Sequence, residues 1–212
     1  MATNSKIIEP VAIKAPNIQT AEIDIEGVTP LVQNKFSAKA KAKMMDAMAA
    51  GSTAKSKKTR DARDYDDDFL QAQHISEEGW NGLPAPAFRS AMISACRLVG
   101  FQMTKAKLSL FVMHDGIDAE DGTPLVKLKA DAPERHEALV RMNFTSTDIR
   151  IRPMWRKWGA TVRVQWDADQ FTFADVVNLM DRAGLQVGIG EGRPDSKTST
   201  GMGWGQFRVV RG

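Results

Sequence analysis

Between Val187 and Val210 the chain reads VGIGEGRPDSKTSTGMGWGQFRVV, with glycine at positions 188, 190, 192, 201, 203 and 205. Glycine tolerates positive φ and lets another backbone come close, so this density predicts a loop shaped for a partner's backbone. The plainer alternative is a glycine-rich hairpin ahead of a last strand. The stretch closes on Phe207-Arg208-Val209-Val210, which alternates as a strand does, and it lacks the GxxxxGK[ST] spacing of a nucleotide-binding loop.

Around this loop there is material for a core. The chain has 212 residues, of which 42% are hydrophobic, enough to bury a substantial interior. Lys and Arg total 29 against 26 acids, a net charge of +3, so a nucleic-acid surface would have to come from local clustering. The single Cys96 excludes an internal disulfide and is expected as a buried thiol in a reducing compartment. No apolar run approaches the roughly 18 residues of a membrane span, and the N-terminus lacks a signal-peptide core, so a cytoplasmic protein without a membrane is expected.

Residues 1–19 read as a loosely held arm. Ala21 to Val28 alternates acid with aliphatic, the period of a half-buried strand. Residues 34–68 change character: lysines and arginines crowd among Ala, Ser and Thr, and the acids Asp61, Asp64, Asp66, Asp67 and Asp68 follow. Ser37 to Ala50 has helix-forming composition with Met44, Met45 and Met48 on one face, whereas the later part is too polar to fold alone. The segment is expected as an inserted basic arm, and the aspartates as a solvated turn with no metal. Residues 69–83 predict a short strand and a turn ending at Gly82.

Pro84 and Pro86 open a helix in which Phe88, Met92, Ile93, Cys96 and Val99 recur at helical spacing, and Gly100 ends it. Leu108 to Met113 predicts a strand, with weaker strands at 124–130 and 138–144. Ile149 to Pro153 and Ala160 to Trp166 read as a hairpin that presents Arg150, Arg152 and Arg163 on one surface beside exposed Trp155 and Trp158, while Trp166 is expected in the core. Thr172 caps a helix whose face is Phe173, Val176, Val177, Leu179 and Met180, with Gly184 as its stop. The order is that of an α+β, ferredoxin-like (RRM-like) βαββαβ core with an inserted basic arm and a C-terminal glycine-rich loop.

Two phrases carry a family resemblance. GLPAPAFRSAMISACRLVG resembles the first helix of the RAMP superfamily of CRISPR-associated proteins, where a proline-marked turn leads into a helix bearing an arginine, here Arg89. AGLQVGIGEGRPDSKTSTGMGWGQFRV resembles their closing G-x-G signature, and the overall pattern is similar to bacteriophage proteins of like length. Together the two phrases cover about a quarter of the chain. The resemblance implies one Cas7-type, RNA-recognition-like domain over 1–212, whose glycine loop and basic insertion contact a nucleic-acid backbone. Glu191 and Asp195 depart from it by making the loop less cationic, and a second ferredoxin unit is not evident.

The leading expectation is a non-catalytic binder of single-stranded RNA or DNA without cofactors, assembling as a homo-oligomer or filament on the strand. Its expected contacts are Lys39, Lys41, Lys43, Lys55, Lys57, Lys58, Arg60, Arg89, Arg150, Arg152, Trp155, Arg156, Trp158, Gly188, Gly190, Arg193, Lys197, Gly201, Gly203 and Trp204. A RAMP-type endoribonuclease is one alternative; it would need a general acid-base histidine, and His74, His114 and His136 are the candidates, none near a glycine motif in sequence. A viral structural or assembly protein is the other. No nucleophile elbow, paired-carboxylate motif or dinucleotide fingerprint supports another enzyme class.

Overall fold

The computed structural model describes residues 13–49, 51, 63–143, 146–196 and 201–211. Its elements in chain order are β1 (Ile18–Gly27), β2 (Leu31–Val32), α1 (Ala38–Ala49), α2 (Tyr65–Gln71), β3 (Gly82–Pro84), α3 (Ala85–Ala95), α4 (Met103–Ser109), β4 (Leu110–Met113), β5 (Gly116–Ile117), β6 (Pro124–Lys127), β7 (Glu134–Asn143), β8 (Ser146–Trp155), β9 (Gly159–Asp167), α5 (Phe173–Arg182) and β10 (Phe207–Val209). The fold is mixed α/β, with three antiparallel sheets ordered β10-β1-β9-β4, β2-β8-β7 and β3-β6-β5.

The largest sheet follows from strict alternation. In β1, Ile23 and Ile25 are buried while Glu22 and Asp24 are exposed; in β9, Ala160, Val162, Val164 and Trp166 are buried. The β1–β9 register pairs Ile23 with Val162 and Ile25 with Ala160, which aligns the two apolar rows on one face. Helices α3 and α5 cover that face: Phe88, Met92 and Cys96 from the first helical segment and Val176, Leu179 and Met180 from the second join one buried cluster with Phe207. Phe88 and Trp158 both meet the Phe207 ring edge-on, with centroids 5.8 and 6.0 Å apart.

Both helices are bounded by chemistry readable in the chain. Pro86 lies in the first turn of α3, where its missing N–H has no partner to lose, and Gly100 ends the following 3-10 turn (Cys96–Val99) at φ 70°. At α5 the Thr172 hydroxyl accepts from the Asp175 amide at 3.2 Å and the Asp175 carboxylate accepts from the Thr172 amide at 2.9 Å, a reciprocal cap. Beyond Arg182 the helix does not stop at Gly184 but widens into a π turn over Ala183–Val187. Gly184 is required there by proximity, since a Cβ would lie 2.1 Å from the Phe207 carbonyl oxygen.

Several expectations are corrected. The segments 149–153 and 160–166 are not a hairpin: β8 pairs with β7 and β2, whereas β9 pairs with β1 and β4. Arg152 and Arg163 therefore lie on different sheets. Trp155 and Trp158, expected in water, are 3% and 5% exposed. The chain uses these rings to fill the corner between sheets, and each indole N–H is satisfied there, Trp155 by the Asp131 carbonyl and Trp158 by the Thr29 carbonyl. The described aspartates after Arg63 open helix α2 instead of a turn: Asp64 caps the amides of Asp66 and Asp67, and three acids occupy the first turn, where the helix dipole favours them. The expected strand in 69–83 reduces to β3 and an Ile75–Asn81 bridge, and the strand expected from Leu108 begins at Leu110, after α4.

Candidate functional site

The glycine loop is held by the chain's own backbone. Ile189 donates to Gly205 O at 3.0 Å, Glu191 to Val32 O at 2.9 Å, Met202 to Gly192 O at 2.7 Å and Gly205 to Pro30 O at 2.7 Å. All six glycines have positive φ. The close approaches are internal: a Cβ on Gly190 would stand 2.5 Å from Val32 O, on Gly201 2.2 Å from Arg193 O and on Gly205 1.8 Å from Ile189 O, while one on Gly188 would meet the Pro194 ring at 2.8 Å. Gly203 alone of the six faces open space, its nearest neighbour being Gln206 Oε1 at 3.9 Å. The glycines thus fold the loop onto β2 and onto itself, and this internal packing accounts for most of their density.

Pinned in this way, the loop forms one wall of a cleft of about 520 Å³. The opposite wall is α3, through Pro86, Ala87, Ser90 and Ser94, and α4 supplies Met103 and Lys107. From the loop come the backbone of Gly188 and Gly190 and the side chains of Arg193 and Asp195. Arg193 is half-buried and donates to the Gly190 carbonyl at 3.1 Å. Lys107 makes no ion pair among the described residues. Asp195 receives hydrogen bonds from Ser94 Oγ at 2.5 Å and Arg97 Nη2 at 2.6 Å, which hold its carboxyl below the ordinary aspartate range.

On its other side the loop meets the β7–β8 hairpin. The His136 ring stands edge-on to half-buried Trp204, with centroids 5.1 Å apart. His136 is thus brought to the glycine loop although 52 residues separate it from Gly188 in sequence. Arg152, opposite His136 in the register, is 6% exposed and committed to Glu191 at 2.8 Å; Arg150 pairs with Asp148 at 3.5 Å. Arg152 thus ties the hairpin to the loop, and the two arginines do not form a free cationic row.

The remaining expected contacts scatter. Arg89 turns inward, donating to Leu110 O at 2.7 Å and to Lys107 O at 2.5 Å, with its guanidinium over the Phe111 ring. Arg156 pairs with Glu134 at 2.8 Å. Lys39, Lys41 and Lys43 lie on α1, which buries none of its residues; Lys39 reaches Asp67 at 3.5 Å. Lys55, Lys57, Lys58, Arg60 and Lys197 lie outside the described residues, as does the middle of the basic arm.

The open face of the large sheet is self-neutralised. Its cations Arg208, Lys129 and Arg163 hold Glu26, Asp24 and Asp115 at 2.5, 2.9 and 3.1 Å. Each of these cations already has a carboxylate partner, whereas the cleft offers Lys107, which makes no ion pair among the described residues.

One buried polar group went unnoticed in the sequence. Lys35, assigned above to the basic arm, is 8% exposed. Its ammonium lies 2.6 Å from Asp118 and 2.8 Å from Glu120, and His74 Nδ1 is 2.9 Å from the other Asp118 oxygen. His74, Asp118 and Asp121 place ligand atoms within 4.8 Å of one another, as a metal requires. The Lys35 ammonium already fills the place of a cation there, so the group reads as an internal ion cluster that ties the start of α1 to the β5–β6 turn. The only sequence signal was the turn Asp118-Ala119-Glu120-Asp121-Gly122.

Burial pushes the Cys96 thiol up, which keeps it protonated and inert. Among the described residues no helix is long and apolar enough to cross a membrane. Compared with protein-family models and with curated proteins, the chain finds no match.

Proposed function

We propose that this chain is a non-catalytic binder of single-stranded nucleic acid, and that its strand takes the cleft between α3 and the glycine loop. The observation that carries the reading is that cleft: Lys107 and Arg193, two serine-bearing turns of α3 and the Gly188–Gly190 backbone line one open channel of about 520 Å³. Cations for phosphates, with the small hydroxyls of Ser90 and Ser94 beside them, suit a sugar-phosphate backbone without dictating a base sequence. Trp204 at the loop's other edge supplies an aromatic face.

The fold supports the same reading. In chain order the core runs β1, α3, β4, β9, α5, β10, and the sheet order β10-β1-β9-β4 sets the first and third core strands at the centre. That is the order expected of a ferredoxin-like βαββαβ unit, with β2 to β3 and β5 to β8 as decorations. The relationship to RAMP proteins is part of the proposal and rests on the two sequence phrases. Because the open sheet face is neutralised by its own ion pairs, the site lies on the helix side of the unit, not on the sheet surface.

Copurification tests this. The protein should leave cells carrying nucleic acid, seen as a raised absorbance ratio that falls on digestion with either ribonuclease or deoxyribonuclease. Protein that is free of nucleic acid and that fails to retain labelled oligouridylate or oligothymidylate at low salt would overturn the proposal. An RNA-cleaving alternative gains one observation, the placement of His136 beside Trp204; cleavage of single-stranded RNA that is lost in His136→Ala would favour it.

A further inference from the structure

Asp195 is the one carboxylate among the described residues lining the cleft. It crosses from the glycine loop to α3's end, where Ser94 Oγ and Arg97 Nη2 both donate to the same oxygen, Oδ2, at 2.5 and 2.6 Å. Arg97 is oriented for this by its own helix: Nε donates to the Ser94 carbonyl at 3.1 Å, and Nη2 also reaches Ser94 Oγ at 2.5 Å. A guanidinium and a hydroxyl converging on one anionic oxygen match the way a phosphodiester oxygen is bound. The pair is also exchangeable, since the Arg97 and Asp195 side chains remain 53% and 37% exposed, and ion pairs open to water are weak.

We propose that Ser94 and Arg97 form a phosphate subsite at the rim of the cleft, and that Asp195 is its built-in competitor. This rests on the nucleic-acid reading above. In the free protein the carboxylate holds the subsite and closes the loop against α3. A backbone phosphate entering the cleft takes the Arg97 and Ser94 donors, and Asp195 turns to solvent. The contact does two things: it lowers affinity for isolated phosphates, and it makes a strand that also engages Lys107 and Arg193 the favoured ligand, because several phosphates are needed to offset one displaced carboxylate. It also gives Glu191 and Asp195 different roles, since Glu191 stays bound to buried Arg152 at 2.8 Å, away from the exchange.

The test is a charge-neutralising cycle read by fluorescence anisotropy with a labelled oligothymidylate and a labelled oligouridylate, with melting recorded for each variant. Asp195→Asn should bind on the order of tenfold more tightly than the wild type, and its salt dependence should steepen by about 0.7 in log–log slope, one additional net phosphate neutralised. Adding Arg97→Ala to Asp195→Asn should abolish both gains. Should Asp195→Asn melt early, Asp195→Ser keeps a hydroxyl for Arg97 while removing the charge, and the same gain is expected. Wild-type binding with no gain in either neutral variant overturns the competitor and leaves the binding function standing. Absence of binding in wild type and folded variants alike overturns the function itself.

Discussion

The Lys35 ammonium and the Asp118 carboxylate meet at 2.6 Å with side chains 4% and 0% exposed, 83 residues apart in sequence. Burial on its own lowers the Lys35 pKa, yet the hydrogen bonds to Asp118 and Glu120 and their charges outweigh it and hold the ammonium above its ordinary value. Burial likewise works to raise the Asp118 pKa, and is outweighed by hydrogen bonds from Lys35, the Glu120 amide and His74.

Lys35→Met should therefore cost about 3–5 kcal/mol in urea unfolding at pH 7, because it leaves a buried carboxylate without its cation. The sign of the pH dependence follows. A depressed folded-state pKa gives wild-type Asp118 a contribution present above the unfolded value of 3.8 and lost as pH falls through the folded value. In the variant burial prevails, the Asp118 pKa rises, and acid relieves the strain. The stability gap between the two proteins should narrow from pH 7 to pH 4; a gap that widens would refute this balance.

Gly203 and Gly205 share positive φ, at 74° and 67°, but not surroundings. Gly203→Ala should cost about 1 kcal/mol, the backbone penalty alone. Gly205→Ala places a methyl 1.8 Å from Ile189 O and must break the loop's closure on Pro30 and Ile189, with a much larger drop in melting temperature. Equal losses would mean that the loop is not packed on its own backbone.

Of the five tryptophans, Trp155, Trp158 and Trp166 are buried and Trp80 packs on Gly82 of β3 and Gly116 of β5, leaving Trp204 beside the candidate site. Intrinsic fluorescence should respond to oligonucleotide in the wild type and in Trp158→Phe, and lose that response in Trp204→Phe. A response retained in Trp204→Phe would place the strand elsewhere.

Where one physical rule governed a segment, the sequence announced the structure. β1, α3, α5 and the closing strand follow from period and caps, because each has one buried face and a defined start or stop. The hairpin expected of 149–166 failed on competition between rules: both segments alternate, but burying Trp155 and Trp158 outweighs pairing neighbours, so the chain turns from one sheet to another between them. Helix α2 was hidden because a run of aspartates is equally suited to a solvated turn and to a dipole-stabilised first turn. Lys35 and Asp118 carried no local signal, since an ion pair across 83 residues has no period. Of the residues that line the cleft, Gly188, Gly190 and Arg193 stand out in the sequence and Lys107 does not; the close approaches expected to a partner's backbone are made to the chain's own, and most of the named arginines that the structure describes have internal partners.

The most direct measurement compares single-strand affinity for Lys107→Glu, in the cleft, and Lys129→Glu, on the open sheet face, each checked for unchanged melting. The account predicts at least a tenfold loss for Lys107→Glu, where a cation at the channel is replaced by an acid, and a far smaller change for Lys129→Glu. Equal affinities for the two variants, or a greater loss from Lys129→Glu, would contradict the assignment of the cleft as the nucleic-acid site.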